Sequence, residues 1–202
     1  MKKYRAAILD ADFAIKVGTT SVINVIGDVL PLFCEKLYIH RHVFENEILF
    51  PPLVKYRIQE LLNRNLVEIV DRESIEQKGD LLAVAVYDST VELLRTADEI
   101  TRSGGKNWGE VVSLSLAKAL NFPVFLSDEA GLQKLVDDYL NLGDKPHDER
   151  NIQVVRVDGL VVWMRDNGFS RKHGKVLWSA AGKPRDMFDQ IWSPGVHLDS
   201  DT

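Results

Sequence analysis

The chain has 202 residues, 45% of them hydrophobic and 27% charged, which is enough apolar material for one globular core. Its formal net charge of -5 excludes a protein that coats nucleic acid through bulk positive charge, although residues 165–185 are locally basic. The one cysteine, Cys34, excludes an internal disulfide framework and a multi-cysteine zinc site. Its apolar neighbours predict a buried structural thiol.

The first apolar stretch, AAILDADFAIKV (6–17), is interrupted by Asp10 and Asp12, so it lacks the uninterrupted core of a signal peptide. No segment approaches the roughly 18 to 20 consecutive apolar residues of a membrane span. We therefore expect a cytoplasmic protein without a membrane partner.

Short β-type runs alternate with longer helical stretches along the chain. The runs are AAIL (6–9), LYIH (37–40), LVEIV (66–70), PVFLS (123–127) and IQVVRV (152–157). Helical patterns occupy 51–65, 80–102 and 109–122. This order predicts the α/β class: a three-layer α/β/α fold with Rossmann-like topology and a central parallel sheet of four or five strands.

Polar composition marks the expected linkers. DRESIEQKGD (71–80) and NLGDKPHDERN (141–151) are interpreted as insertions or linkers, the second as a loop before the last strand, and SPGVHLDSDT (193–202) as a frayed tail. We expect one domain over 1–180, with a helical insertion around 71–105, followed by a C-terminal extension over 181–202.

Acidic residues recur where the predicted strands pass into helices. Asp10 closes the first β-type run, Asp128 follows the fourth, Glu110 stands in the first turn of a helix, and Glu47 precedes another. In open parallel sheets this edge lines the ligand crevice. Two purely structural explanations stay open: Glu110 interacts favourably with the dipole of its own helix, and Asp128 is the N-cap of the helix after it.

Grouping these acids would have a chemical consequence. Two carboxylates about 5 Å apart repel by roughly 3 kcal/mol at an effective dielectric constant of about 20. A cluster of them therefore takes up protons or holds a divalent cation. Oxygen ligands without Cys or His favour Mg²⁺ or Mn²⁺ over zinc.

Three segments together resemble the PIN domain, the nuclease fold of many bacterial and archaeal toxin–antitoxin ribonucleases and of RNA-processing factors. They are ILDADFAIKV, NWGEVVSLSLAKAL and PVFLSDEAG, within a match over roughly residues 5–178. The resemblance implies a catalytic and metal-binding quartet, namely Asp10, Glu47, Glu110 and Asp128. Glu45 is the alternative to Glu47, while Asp12 and Glu129 are further candidates beside the metal.

The resemblance implies a Mg²⁺- or Mn²⁺-dependent ribonuclease that hydrolyses RNA phosphodiester bonds. The basic segment, with Arg171, Lys172 and Lys175, would lie along the RNA backbone. An antitoxin or other protein partner and a homodimer are further implied. The extra length at 71–105, and the lack of a clear Ser or Thr before the glutamate in HRHVFENE, leave the toxin subclass open.

Two other functions compete with this interpretation. The pair Asp10 and Asp12 matches the D-x-D of haloacid dehalogenase-type phosphatases, but LSDEAGLQ lacks the downstream acidic run that such an enzyme needs. A PIN-like scaffold that binds RNA or protein without cutting is the second alternative, because acids can persist without metal.

Overall fold

The structure is a computed structural model that describes residues 4–97, 107–142 and 151–193. Five strands form one parallel sheet in the order β3-β2-β1-β4-β5. They are β1 (Tyr4–Leu9), β2 (Cys34–His40), β3 (Val67–Val70), β4 (Val124–Leu126) and β5 (Gln153–Val155). The predicted three-layer α/β/α architecture with a parallel sheet is confirmed, and the sheet has five of the predicted four or five strands.

Helices connect the strands. The helices are α1 (Ala11–Gly18), α2 (Leu30–Phe33), α3 (Pro52–Asn63), α4 (Arg72–Gln77), α5 (Leu81–Thr96), α6 (Trp108–Ala119), α7 (Leu132–Tyr139), α8 (Val157–Asp166), α9 (Arg171–Ala180) and α10 (Arg185–Trp192). Two π-helical turns, Val25–Val29 and Val43–Glu47, precede α2 and α3. None of the helices within the described ranges is long and apolar enough to cross a membrane.

The central strand β1 supplies apolar side chains to two separate cores, because successive side chains of a strand point to opposite faces. Ala7 and Leu9 pack with α1, α3, α8 and the C-terminal helices. Ala6 and Ile8 pack on the other face with α5, α6 and α7. The strand therefore reads as a continuous apolar run, as expected for a parallel sheet that is covered on both faces. Cys34 is buried, as predicted.

The polar segment 71–80, interpreted from the sequence as an insertion or linker, is mostly helical. Helix α4 forms there, because the Asp71 carboxylate accepts from the Ser74 backbone N–H at 2.8 Å while the Ser74 hydroxyl accepts from the Asp71 N–H. This capping box satisfies N–H groups that a helix otherwise leaves unpaired. The helix predicted over 80–102 is α5, which ends at Thr96, and residues 98–102 of that prediction lie outside the described residues. So do 143–150 of the predicted 141–151 loop and 194–202 of the predicted tail.

The last helices pack onto the core. Phe188 of α10 is buried, and its ring lies 5.6 Å from that of Trp192. Trp192 covers Gly174 of α9 so closely that a Cβ at that glycine would overlap its ring. Part of the segment predicted as a C-terminal extension, 181–202, thus contributes a helix to the packed domain.

Candidate functional site

The candidate site lies between β1 and β4, at the point where the strand order of the sheet reverses. Strands β2 and β3 lie on one side of β1, and β4 and β5 lie on the other. Asp10 follows β1, and Asp128 follows β4 by two positions. The two strands are hydrogen-bonded neighbours, and the Asp10 N–H donates to the carbonyl of Leu126 at 3.0 Å. In open α/β sheets such a switch point is where ligands bind. The condition for bringing these two acids to one crevice is therefore met.

Asp10 is a buried carboxyl group with 3% of its surface exposed. Burial is the main cause that raises its pKa from 3.8 to about 7, and repulsion from Glu47 and Asp12 adds to it. Hydrogen bonds from the Ala11 backbone and the Ser127 hydroxyl act in the opposite direction, the latter at 3.2 Å. Asp10 is thus held in place, close to other acids, and near half-protonation at neutral pH.

Glu110 lies in the first turn of α6, as predicted. Burial again dominates, and together with the charges of Asp10, Glu129, Glu47 and Asp12 it raises the pKa of Glu110 to about 8. The environment of Glu110 is therefore that of an acid cluster.

Glu47 reaches this cluster from the π-helical turn after β2. Its carboxylate lies against Gly109, at the start of α6, where a Cβ would overlap its oxygens. His42 Nε2 lies 3.5 Å from Glu47 Oε1. Glu45, the alternative candidate, is exposed and lies 3.5 Å from Arg41. The structure therefore brings Glu47 to the other acids and pairs Glu45 with an arginine.

The two remaining candidates lie at the rim of the site. Asp12 is partly exposed, and its carboxylate accepts a 2.7 Å hydrogen bond from Lys16 one helical turn later. Glu129 is exposed, and its backbone N–H donates to the Ser127 hydroxyl at 3.3 Å. Both are close enough to Glu110 to raise its pKa.

Asp128 has a different environment. Its side chain is only 4% exposed. Its Oδ1 accepts hydrogen bonds from Lys183 Nζ at 2.7 Å and from the Val157 N–H at 3.2 Å. Its Oδ2 accepts a hydrogen bond from Lys16 Nζ at 3.0 Å. Burial alone would raise its pKa, but the hydrogen bonds from Lys183 and Lys16 outweigh burial and keep the pKa below its ordinary value. Asp128 does not cap the next helix, because α7 begins at Leu132 with Gly131 before it.

The acids have the donor chemistry of a Mg²⁺ or Mn²⁺ site, since all of them offer carboxylate oxygens. Burial, together with the charges of neighbouring acids, raises the pKa values of Asp10 and Glu110. In the conformation described for 4–97, 107–142 and 151–193, no three Asp, Glu, His or Cys side chains converge closely enough to hold an ion. The donor set fits such a metal in chemical type, and Asp10, Glu47 and Glu110 are the residues that would hold it.

The predicted RNA-contacting cations lie on α9. Arg171 pairs with Asp189 and lies 5.8 Å from the Phe188 ring, while Lys172 and Lys175 are exposed. Trp178 on the same helix is buried, and Trp163 of α8 is half-buried. The exposed face of α9 thus carries charge that is available to solvent.

The sequence reasoning did not place three residues against the acids. Lys16, Lys183 and Ser127 contact Asp128 or Asp10 directly. Two signals were present: Lys16 stands four positions after Asp12 on one helix face, and Lys183 belongs to the locally basic segment. Neither signal reveals that both ammonium groups meet at one aspartate.

No protein-family model matches this chain, and no significant match exists among the curated proteins or the solved structures compared with it.

Proposed function

We propose that this protein is a metal-dependent ribonuclease that hydrolyses RNA phosphodiester bonds at the acid cluster of Asp10, Glu47 and Glu110. One observation carries the proposal: the buried Asp10 at the end of β1 and the half-buried Glu110 at the start of α6 have pKa values raised to about 7 and 8 at the switch point of the sheet. Perturbed titration in a crevice of this kind marks functional sites. The resemblance to PIN domains supplies the reaction class.

Asp10, Glu47 and Glu110 would hold Mg²⁺ or Mn²⁺, which when bound lowers the pKa of a water molecule and offsets charge on the phosphodiester. Ser127 orients Asp10 through its hydroxyl hydrogen bond. Gly109 lets the Glu47 carboxylate approach the start of α6. Glu110 keeps a proton near neutral pH, so it must release that proton before it can act as a ligand.

A second candidate function is a non-catalytic PIN-like scaffold that binds RNA or a protein. The observation that favours it is the lack of a convergent metal-binding group among the described residues, together with the engagement of Asp128 by two lysines. Under this function the acids would titrate without metal. A measurement of metal binding separates the two candidates.

A protein partner, either an antitoxin or a second copy of this chain, is part of the proposal. Its support is an exposed apolar segment that follows Glu47, in which Phe50 is 76% exposed and Leu49, Leu53 and Tyr56 are also exposed. Apolar side chains grouped on a surface indicate an interaction site.

The deciding experiment incubates purified protein with mixed RNA in Mg²⁺ or Mn²⁺, with and without chelator. We expect metal-dependent cleavage, and we expect Asp10→Asn and Glu110→Gln each to slow it by about 100-fold or more. Glu45→Gln is the matched control, because Glu45 is exposed and paired with Arg41, and it should cleave as the wild type does.

Cleavage that survives in both site variants would identify a contaminating nuclease and reject the proposal. RNA binding without cleavage, combined with no carboxylate-dependent heat in a Mn²⁺ titration, would establish the scaffold. Turnover of a small phosphate monoester without RNA cleavage would point to the phosphatase instead.

A further inference from the structure

Three cations surround Asp128 at the edge of the acid cluster, and we call Lys16, Lys183 and Arg156 the cation cluster. Lys183 and Lys16 hydrogen-bond to different oxygens of Asp128, at 2.7 and 3.0 Å. Arg156 Nε lies 3.7 Å from Oδ1, and within the described residues this buried nitrogen has no hydrogen-bond partner. The aspartate therefore gathers cations from α1, from the α9–α10 connection and from the end of β5.

The cation cluster carries more positive charge than its own carboxylates neutralise. Among the described residues, Asp128 and Asp12 are the acids that pair with it, against three cations. Each ammonium group has three N–H donors. Lys183 uses one of them on Asp128, and Lys16 uses two, on Asp12 and Asp128. Donors and one net positive charge are left for an anion.

The position of the cation cluster beside the acid cluster indicates which kind of anion it would bind. Ser127 links the two sites, since its hydroxyl donates to Asp10 and the next residue is Asp128. A ligand at the cation cluster therefore lies beside the acids that are proposed to act on a phosphodiester. Lysine ammonium groups bind phosphate as compact point charges.

We infer that the cation cluster is a binding site for a backbone phosphate of single-stranded RNA. In this assignment Asp128 is a positioning residue that holds Lys16 and Lys183, and not a metal ligand as the PIN resemblance implies. The inference rests on the proposed function for the identity of its ligand. It goes beyond that function by assigning a substrate-binding role to residues outside the acid cluster.

The test measures binding of a short fluorescent single-stranded RNA in chelator, so that neither metal nor cleavage contributes. We expect Lys183→Met and Lys16→Met each to weaken binding about tenfold, and to lower the slope of log affinity against log salt by about 0.7, the value for one phosphate contact on a single strand. Lys36→Met is the matched control, because Lys36 is hydrogen-bonded to Asn65 near the opposite edge of the sheet.

The role of Asp128 has its own readout. We expect Asp128→Asn to weaken RNA binding while Mn²⁺ affinity stays at the wild-type value, whereas Asp10→Asn lowers Mn²⁺ affinity. Circular dichroism melting of each variant establishes that it is folded at the assay temperature. Lys16 is 30% exposed, so Lys16→Met keeps the test valid if Lys183→Met does not fold.

Lysine variants whose RNA affinity and salt slope equal those of Lys36→Met would overturn the inference, as would a protein that binds no RNA in chelator. Loss of Mn²⁺ affinity in Asp128→Asn would overturn the positioning role. If the lysine variants behave as expected but the protein shows no metal-dependent cleavage, the phosphate site stands and the nuclease proposal fails.

Discussion

Lys183 donates a 2.7 Å hydrogen bond to Oδ1 of Asp128 across 55 positions of the chain. The lysine side chain is only 13% exposed, so its ammonium group is largely desolvated. An ammonium group in that position needs a charged partner, because an unpaired buried charge is strongly destabilising. The bond ties the connection between α9 and α10 to the end of β4, and thereby makes the last part of the chain a wall of the candidate site.

The metal-free protein should become less stable as the pH rises. Folding raises the pKa of Asp10 from 3.8 to about 7 and that of Glu110 from 4.5 to about 8, so the native state holds more protons than the unfolded state between these values. Their contribution is complete at acid pH and is lost as the pH rises through about 7 and 8. We expect the melting temperature in chelator to fall from about pH 6.5 to 9.

His40 sets the lower limit of that pH window. Burial lowers its pKa from 6.5 to about 4, so its contribution to stability increases with pH and is complete above about 6.5. Asp10→Asn should flatten the fall in melting temperature, while Glu45→Gln should leave it as in the wild type. A melting temperature that rises over the same window would contradict the assigned titrations.

Metal binding should release protons. At neutral pH Glu110 is mostly protonated and Asp10 partly so, and a carboxyl group must lose its proton to become a ligand. Calorimetric Mn²⁺ titrations at about pH 7 in two buffers of different ionisation enthalpy should therefore give different apparent enthalpies. The difference should shrink in Glu110→Gln. Equal enthalpies in both buffers for the wild type would show that Mn²⁺ binding releases no protons from these carboxyl groups.

Gly109→Ala should disturb the acid cluster without weakening the helix. The added Cβ overlaps the Glu47 carboxylate, so we expect Mn²⁺ affinity to fall about tenfold or more. Alanine is otherwise favoured over glycine in a helix by about 1 kcal/mol. Gly159→Ala is the control, because its Cβ would meet Val155 at an ordinary 3.5 Å. Unchanged affinity in Gly109→Ala would remove Glu47 from the proposed ligand set.

Phe188→Ala tests whether the C-terminal helix is part of the domain. Phe188 is buried and belongs to the same core as β1, so its truncation should cost about 3 kcal/mol or more in the free energy of unfolding. Met187, its neighbour, is largely exposed, and Met187→Ala should stay within about 0.5 kcal/mol of the wild type. Urea unfolding gives both values. A small effect at Phe188 would mean that α10 contributes little to the fold.

Local pattern was sufficient for the fold class. Apolar runs such as AAIL and LYIH predicted strands that the structure confirms, because a strand buried on both faces must be apolar throughout. The same logic placed a helical insertion around 71–105 but did not give the bounds of α4, whose polar residues suit a linker as well as a helix. Its helix depends on the reciprocal bonds between Asp71 and Ser74, which a composition argument does not see.

The sequence by itself determined that acids would close the strands at one edge of a parallel sheet, because strand period and chain direction fix that edge. Only the tertiary structure decided their separate environments. Asp10 is buried and Glu110 half-buried beside like charges, whereas Asp128 meets Lys16 and Lys183. Such electrostatics depend on distance in space and on burial, and residues more than a hundred positions apart acquire both only when the chain folds.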